Sequence, residues 1–180
     1  MDDLVRQAMA KWPNVPDCHG WLGLDSRGQW YMRDDRVQML GAFQSGIAGA
    51  KGSALKHEKL MAFIDRNYEC DAQGCWYFQN GPQRVYIELE VAPFIWRLDE
   101  HFVPTAHTGQ CTTVLACLLD DVGRVYLHTP LGFGLVHSLD VGQVAQAVDQ
   151  GLWTPEECLA QDLPERFHFV LSPQAHERGA

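Results

Sequence analysis

The run Asp71-Ala72-Gln73-Gly74-Cys75-Trp76-Tyr77-Phe78-Gln79-Asn80-Gly81-Pro82-Gln83-Arg84-Val85-Tyr86-Ile87-Glu88-Leu89-Glu90-Val91 decides the fold. From Arg84 onward the residues alternate strictly. Val85, Ile87, Leu89 and Val91 fall on one side and Arg84, Tyr86, Glu88 and Glu90 on the other, which is the period of an antiparallel strand with one wet face. Asn80-Gly81-Pro82-Gln83 supplies the turn. That register sets Phe78 opposite Val85 on the core side, and Tyr77 opposite Tyr86 and Gln79 opposite Arg84 on the outer side.

The opening of the run recurs upstream and downstream. Asp25, Gly28, Trp30 and Tyr31 repeat the pattern of Asp71, Gly74, Trp76 and Tyr77, and Asp120, Gly123, Val125 and Tyr126 repeat it again, with starts 46 and 49 positions apart. The pattern is turn chemistry: Asp suits the first turn position, and Gly three residues later takes the left-handed conformation that closes a hairpin with a bulge. A calcium loop would need a regular string of oxygen ligands, and these loops carry only one or two carboxylates each. Each copy therefore reads as a β-hairpin in a repeated unit.

Helical patterns flank the hairpins. Residues 2–12 place Leu4, Val5, Ala8, Met9 and Trp12 on one stripe that Pro13 ends, which predicts a docking helix. Ser53 predicts an N-cap for a helix over residues 53–67 bearing Leu60, Phe63 and Ile64, and Asp140 predicts a cap for a helix bearing Val141, Val144, Ala145 and Val148. Thr154-Pro155-Glu156-Glu157 has the form of a capping box, residues 167–171 read as a last strand, and residues 173–180 as a frayed tail. The expected fold is α+β, with repeated β-hairpin units forming curved antiparallel sheets covered by helices. It would be one compact unit with subunits near 1–50, 51–100 and 101–172.

With 14 Lys and Arg against 23 Asp and Glu, the net charge is -9. That balance opposes binding to a phosphate backbone, so nucleic acid is not an expected partner. No apolar run has the length of a membrane span, and the acidic start lacks a basic and apolar leader, so a cytoplasmic location is expected. Six cysteines spread through an ordinary globular composition read as reduced and mostly buried. No catalytic elbow, zinc-binding helix, phosphate loop or dinucleotide fingerprint occurs, and no cofactor is expected.

Two groups of residues can carry chemistry. Tyr77, Arg84, Tyr86 and Glu88, with Gln79 and Glu90, form an aromatic and polar sheet face able to hold a small polar ligand through stacking and guanidinium hydrogen bonds. His128 and His137 would face each other across a turn centred on Gly132-Phe133, and with a linker histidine, His101 or His107, would make a metal-assisted hydrolase.

The segments Trp76-Tyr77-Phe78-Gln79-Asn80-Gly81-Pro82, Val85-Tyr86-Ile87-Glu88 and Pro93-Phe94, echoed by Val125-Tyr126-Leu127-His128-Thr129-Pro130, resemble a bacterial domain-of-unknown-function family with repeated α+β units. The resemblance covers the central hairpins, and Arg33-Asp34-Asp35-Arg36 departs from it where a Pro-containing turn would stand. It implies a ligand-binding role in signalling and brings no catalytic residue. The leading expectation is a non-enzymatic module that binds a small molecule or a protein partner, with the histidine hydrolase as the alternative.

Overall fold

In the computed structural model, which describes residues 3–179, the chain groups into two compact units. The first comprises the residues up to Asp25, Gln29–Glu90 and the segment from Phe169; the second comprises Ser26–Gly28 and Val91–His168. The fold class is α+β, and both sheets are mixed rather than purely antiparallel.

The first unit holds β1 (Cys18–Leu24), β2 (Trp30–Met32), β3 (Ser53–Ala54), β4 (Tyr68–Cys70), β5 (Trp76–Asn80) and β6 (Gln83–Leu89) in the order β3-β2-β1-β6-β5-β4. β1 and β6 run parallel at its centre. The β5–β6 hairpin has the register that alternation predicts: Tyr77 pairs with Tyr86, Phe78 with Val85 and Gln79 with Arg84. Leu22, Leu24, Ile64, Ile87 and Leu89 are buried in this unit's core.

Its helices start where local competition is resolved. Helix α1 spans Asp3–Lys11, so Asp2 of the expected helix lies outside the described residues. Only Val5 of its apolar stripe is buried, while Leu4 is 79% and Trp12 51% exposed. α2 (Asp35–Leu40) begins at Asp34, whose carboxylate accepts the Val37 amide. Ser53 does not cap a helix, because it pairs with Met32 as part of β3; the helix α3 covers Glu58–Arg66, and His57 Nδ1 accepts the Leu60 N–H at 3.2 Å instead. The segment expected to fray folds as a helix over Pro173–Gly179.

The second unit holds β7 (Phe94–Leu98), β8 (Pro104–Ala106), β9 (Ala116–Asp120), β10 (Val125–Thr129), β11 (Gly132–Val136) and β12 (Glu156–Cys158) in the order β12-β9-β10-β11-β7-β8. α4 (Val141–Asp149) buries Val144 and Ala147, and α5 (Leu163–Arg166) buries Leu163. The Asp140 carboxylate does not cap α4. It takes two hydrogen bonds from Arg97 and one from the Leu98 amide, which hold its pKa below the usual carboxylate range. Glu156 and Glu157 form a strand beside Leu118 and Leu119 rather than a capping box, since pairing satisfies the free edge of β9. Residues 167–171 are not a strand; Phe167 caps the end of α5.

In each sheet an antiparallel three-strand meander joins, through its last strand, in parallel to the first strand of an antiparallel pair. Four hairpin loops share one geometry. Asp25, Asp71, Asp99 and Asp120 each donate their backbone N–H to the carbonyl of the residue four positions on, while their Oδ1 atoms accept that residue's amide. The fourth residue of each loop has positive φ: Gly28, Gly74 and Gly123, but Phe102 in the Asp99 loop, at φ 62°. A Cβ at Gly123 would meet nothing within 4 Å, so only backbone conformation opposes substitution there. Gly123→Ala is expected to lower stability by about 1 kcal/mol in urea unfolding; an unchanged midpoint would contradict the left-handed requirement.

Candidate functional site

The outer face of β5 and β6 is not wet. Tyr77 is 5%, Tyr86 7%, Gln79 1% and Glu88 1% exposed. The segment from Phe169 returns over it: the Val170 amide donates to Gly74 O, the Leu89 amide donates to Leu171 O, and Val170 packs on the cluster of Cys75, Tyr77 and Tyr86. Glu88, expected to face solvent, accepts the Gln174 backbone N–H at 3.1 Å and lies near the Gln44 amide at 3.4 Å. Alternation along one strand cannot reveal a cover drawn from more than eighty residues away.

The tyrosines are held, not poised for chemistry. Tyr86 stacks on His19 with ring centroids 4.4 Å apart and donates its hydroxyl to Asp71 Oδ2 at 3.0 Å. Burial, the largest influence, together with Asp71 pushes its hydroxyl up to about 12. Tyr77 donates to Glu69 at 3.3 Å. The neighbouring buried thiol behaves likewise, because burial, with Asp71, raises Cys75 to about 12, which keeps it protonated near neutral pH. Cys70 and Cys111 are exposed, against the expectation that the cysteines are mostly buried.

Arg84 differs from its neighbours. Its guanidinium lies 4.9 Å from the Tyr77 ring centroid, and the neighbouring Tyr86 hydroxyl is the main influence that raises its pKa. It opens on a cleft of about 550 Å³ between the turn following α1 and the β5–β6 hairpin. Trp12, Asn14 and Asp17 line one side, and Gln79, Pro82 and Arg84 the other. Pro13 and Pro16 shape the turn, because each fixes its own φ and donates no amide. On the other side, the Gln79 amide is anchored through Nε2 to Gly81 O at 3.0 Å, while its Oε1 is buried with no hydrogen-bond partner. Such an acceptor costs about 1–3 kcal/mol. An unpaired acceptor on a residue that lines a cleft marks a place where a ligand donor would recover that cost.

Of the residues the sequence nominates, Tyr77, Arg84, Tyr86 and Glu88 lie together on this sheet, and Arg84 alone of them lines the cleft. Gln79 was visible as its cross-strand neighbour. Trp12, Asn14 and Asp17 carried no signal in the hairpin, since a separate turn brings them there.

The two histidines belong to the second unit and do not face each other. The β10–β11 turn centres on Pro130 and Leu131, so His128 pairs with Phe133, and its ring lies 5.1 Å from that of Phe167. His137 lies beyond β11 and accepts the Leu139 N–H through Nδ1 at 3.1 Å. The linker histidine His107 uses Nδ1 to accept the Ile95 amide at 3.3 Å. Among the described residues no group of three or more His, Cys, Asp or Glu is placed to hold a metal ion, which disfavours the hydrolase reading. Among the same residues no helix is long and apolar enough to cross a membrane.

A family model, DUF2944, described as "Protein of unknown function (DUF2946)", matches residues 1–174. No curated protein matches. The chain is similar to the crystal structure of a DUF1285 family protein from Silicibacter pomeroyi DSS-3, at 14% identity and a TM-score of 0.48, over 81% of this chain and 84% of that one. It is also similar to a DUF1285 family protein from Shewanella baltica OS155, at 15% identity and a TM-score of 0.46, over 70% of this chain and 91% of that one.

Proposed function

We propose, for a chain that belongs to the DUF2944 family of proteins of unknown function, the role of a non-enzymatic cytoplasmic module that binds a small molecule in the cleft beside Arg84. One observation carries this reading: the buried Gln79 Oε1 lacks a partner in a wall it shares with the Arg84 guanidinium. A structural role alone would favour pairing that acceptor. A ligand of metabolite size fits a cleft of this volume and orients itself on few polar groups. The raised pKa values of Cys75 and Tyr86 supply no activated nucleophile on this sheet, which favours binding over catalysis.

Thermal-shift screening of a metabolite library against wild type and Arg84→Met tests the reading. At a hundred times its Kd a ligand stabilises by about 2.7 kcal/mol. The expected result is at least one compound that raises the wild-type Tm by several degrees and leaves the variant unmoved. No stabilising compound, or equal shifts in both proteins, would contradict it.

A further inference from the structure

The cleft carries one charge of each sign at its rim. Arg84 and Asp17 both line it, and among the described residues no direct ion pair joins them. They are close enough to feel each other, because Asp17 helps to raise the Arg84 pKa, though less than the Tyr86 hydroxyl does. An open gap between a guanidinium and a carboxylate is a recognition geometry for a molecule that bears both charges, each end meeting its opposite.

Multiply charged anions fit poorly. Arg84 is the one cationic residue among those lining the cleft, and the C-terminal end of α1, which leads into Trp12, directs peptide carbonyls rather than amides toward this region. A phosphate ester would call for several donors or a helix N-terminus. The remaining wall is apolar: Met9, Trp12, Val15 and Pro82 line it, and the Trp12 ring is half exposed with the Lys11 ammonium 4.5 Å from its centroid. An exposed indole beside prolines is suited to an aliphatic or aromatic body.

We propose that the cleft binds a free amino acid with an apolar side chain: its carboxylate on the Arg84 fork, its ammonium between Asp17 and Gln79 Oε1, and its side chain against Trp12 and Val15. This rests on the reading of the cleft as the binding site. Placing the ammonium there gives the buried Gln79 acceptor its missing donor, and the two ligand charges leave the site's net charge unchanged. A peptide joins its amino and carboxyl groups to neighbours and offers the two charges together on no residue, so it is excluded by the same geometry.

Calorimetric and NMR titration of the full chain at pH 7 tests the assignment with four probes: phenylalanine, 3-phenylpropionate, which lacks the ammonium, phenethylamine, which lacks the carboxylate, and glycine, which lacks the side chain. Phenylalanine is expected to bind with the other three at least about tenfold weaker. Arg84→Met is expected to abolish the phenylalanine response, and Asp17→Asn to erase the preference for phenylalanine over 3-phenylpropionate while the protein keeps its Tm. The proposal is overturned by 3-phenylpropionate binding as tightly as phenylalanine, or by no saturation with phenylalanine, leucine or methionine below about 10 mM. If the cleft resonances answer other metabolites and not these, the amino-acid assignment falls and the binding site stands. If they answer nothing, both fall.

Discussion

Arg33→Met is expected to lower the stability of the first unit by about 3 kcal/mol or more, since three carbonyls bonded to the buried guanidinium lose their donor at about 1–3 kcal/mol each. Arg33 is 1% exposed and donates from Nε to Ala50 O at 2.8 Å, from Nη1 to Gly20 O at 3.3 Å, and from Nη2 to Gly41 O at 2.6 Å. These bonds tie β1 to residues 41 and 50 at either end of the Gly- and Ala-rich stretch after α2, whose Phe43 and Ala50 are buried. Burial lowers the Arg33 pKa, and the nearby Glu88 carboxylate opposes that effect. Methionine fills the space but orphans three carbonyls. Urea unfolding read by tryptophan fluorescence measures the loss; a change below about 1 kcal/mol would contradict the role given to the guanidinium.

Acid is expected to destabilise the second unit through His107. Its Nε2 is buried and its Nδ1 accepts the Ile95 amide, and burial lowers its pKa to about 3. Part of the residue touches solvent, but Nε2, the nitrogen that would take the proton, is buried. Because the folded value lies below the unfolded one, near 6.5, the unfolded chain takes up the proton first. The stabilising difference is complete above pH 6.5 and is lost as pH falls, at up to about 1.4 kcal/mol per pH unit, until the folded ring itself protonates near pH 3. Carboxylates add their own losses below about pH 5, so the interval from 6.5 to 5 is diagnostic. His107→Gln keeps an acceptor for Ile95 and cannot take the proton. Its stability is expected to be flat over that interval while wild type declines; parallel curves would contradict the assignment.

Local pattern carried much of this architecture. The register of β5 and β6 followed from alternation plus Asn80-Gly81-Pro82-Gln83, and the three Asp-x-x-Gly loops followed from turn chemistry. The fourth loop was hidden because Phe102 occupies the left-handed position that glycine marks in the others. Two expected helix starts are strands for a common reason. Ser53 and Glu156 sit next to unfilled strand edges, and strand pairing there outweighed an N-cap that contributes about 1 kcal/mol.

The site was legible only in part. Arg84 and Gln79 share a face by period-two geometry, so the hairpin alone placed them together. The cover over Tyr86 and Glu88 comes from residues 169–174, and the opposite wall of the cleft comes from residues 9–17. Neither arrival is encoded in the hairpin. The expected facing of His128 and His137 failed on a small difference in turn placement: centring it on Pro130 and Leu131 instead of Gly132 and Phe133 shifts His128 onto Phe133.

The cleft of the first unit is the proposed binding site. A two-dimensional ¹H–¹⁵N spectrum isolates two of its walls, because the Trp12 indole N–H and the Gln79 side-chain amide give resonances outside the backbone envelope. Saturating amounts of the compound that stabilises the protein are expected to shift both signals together with the Gln79 and Arg84 backbone amides, and to leave His128 and His137 in place. Stabilisation with those cleft signals unmoved would contradict the account.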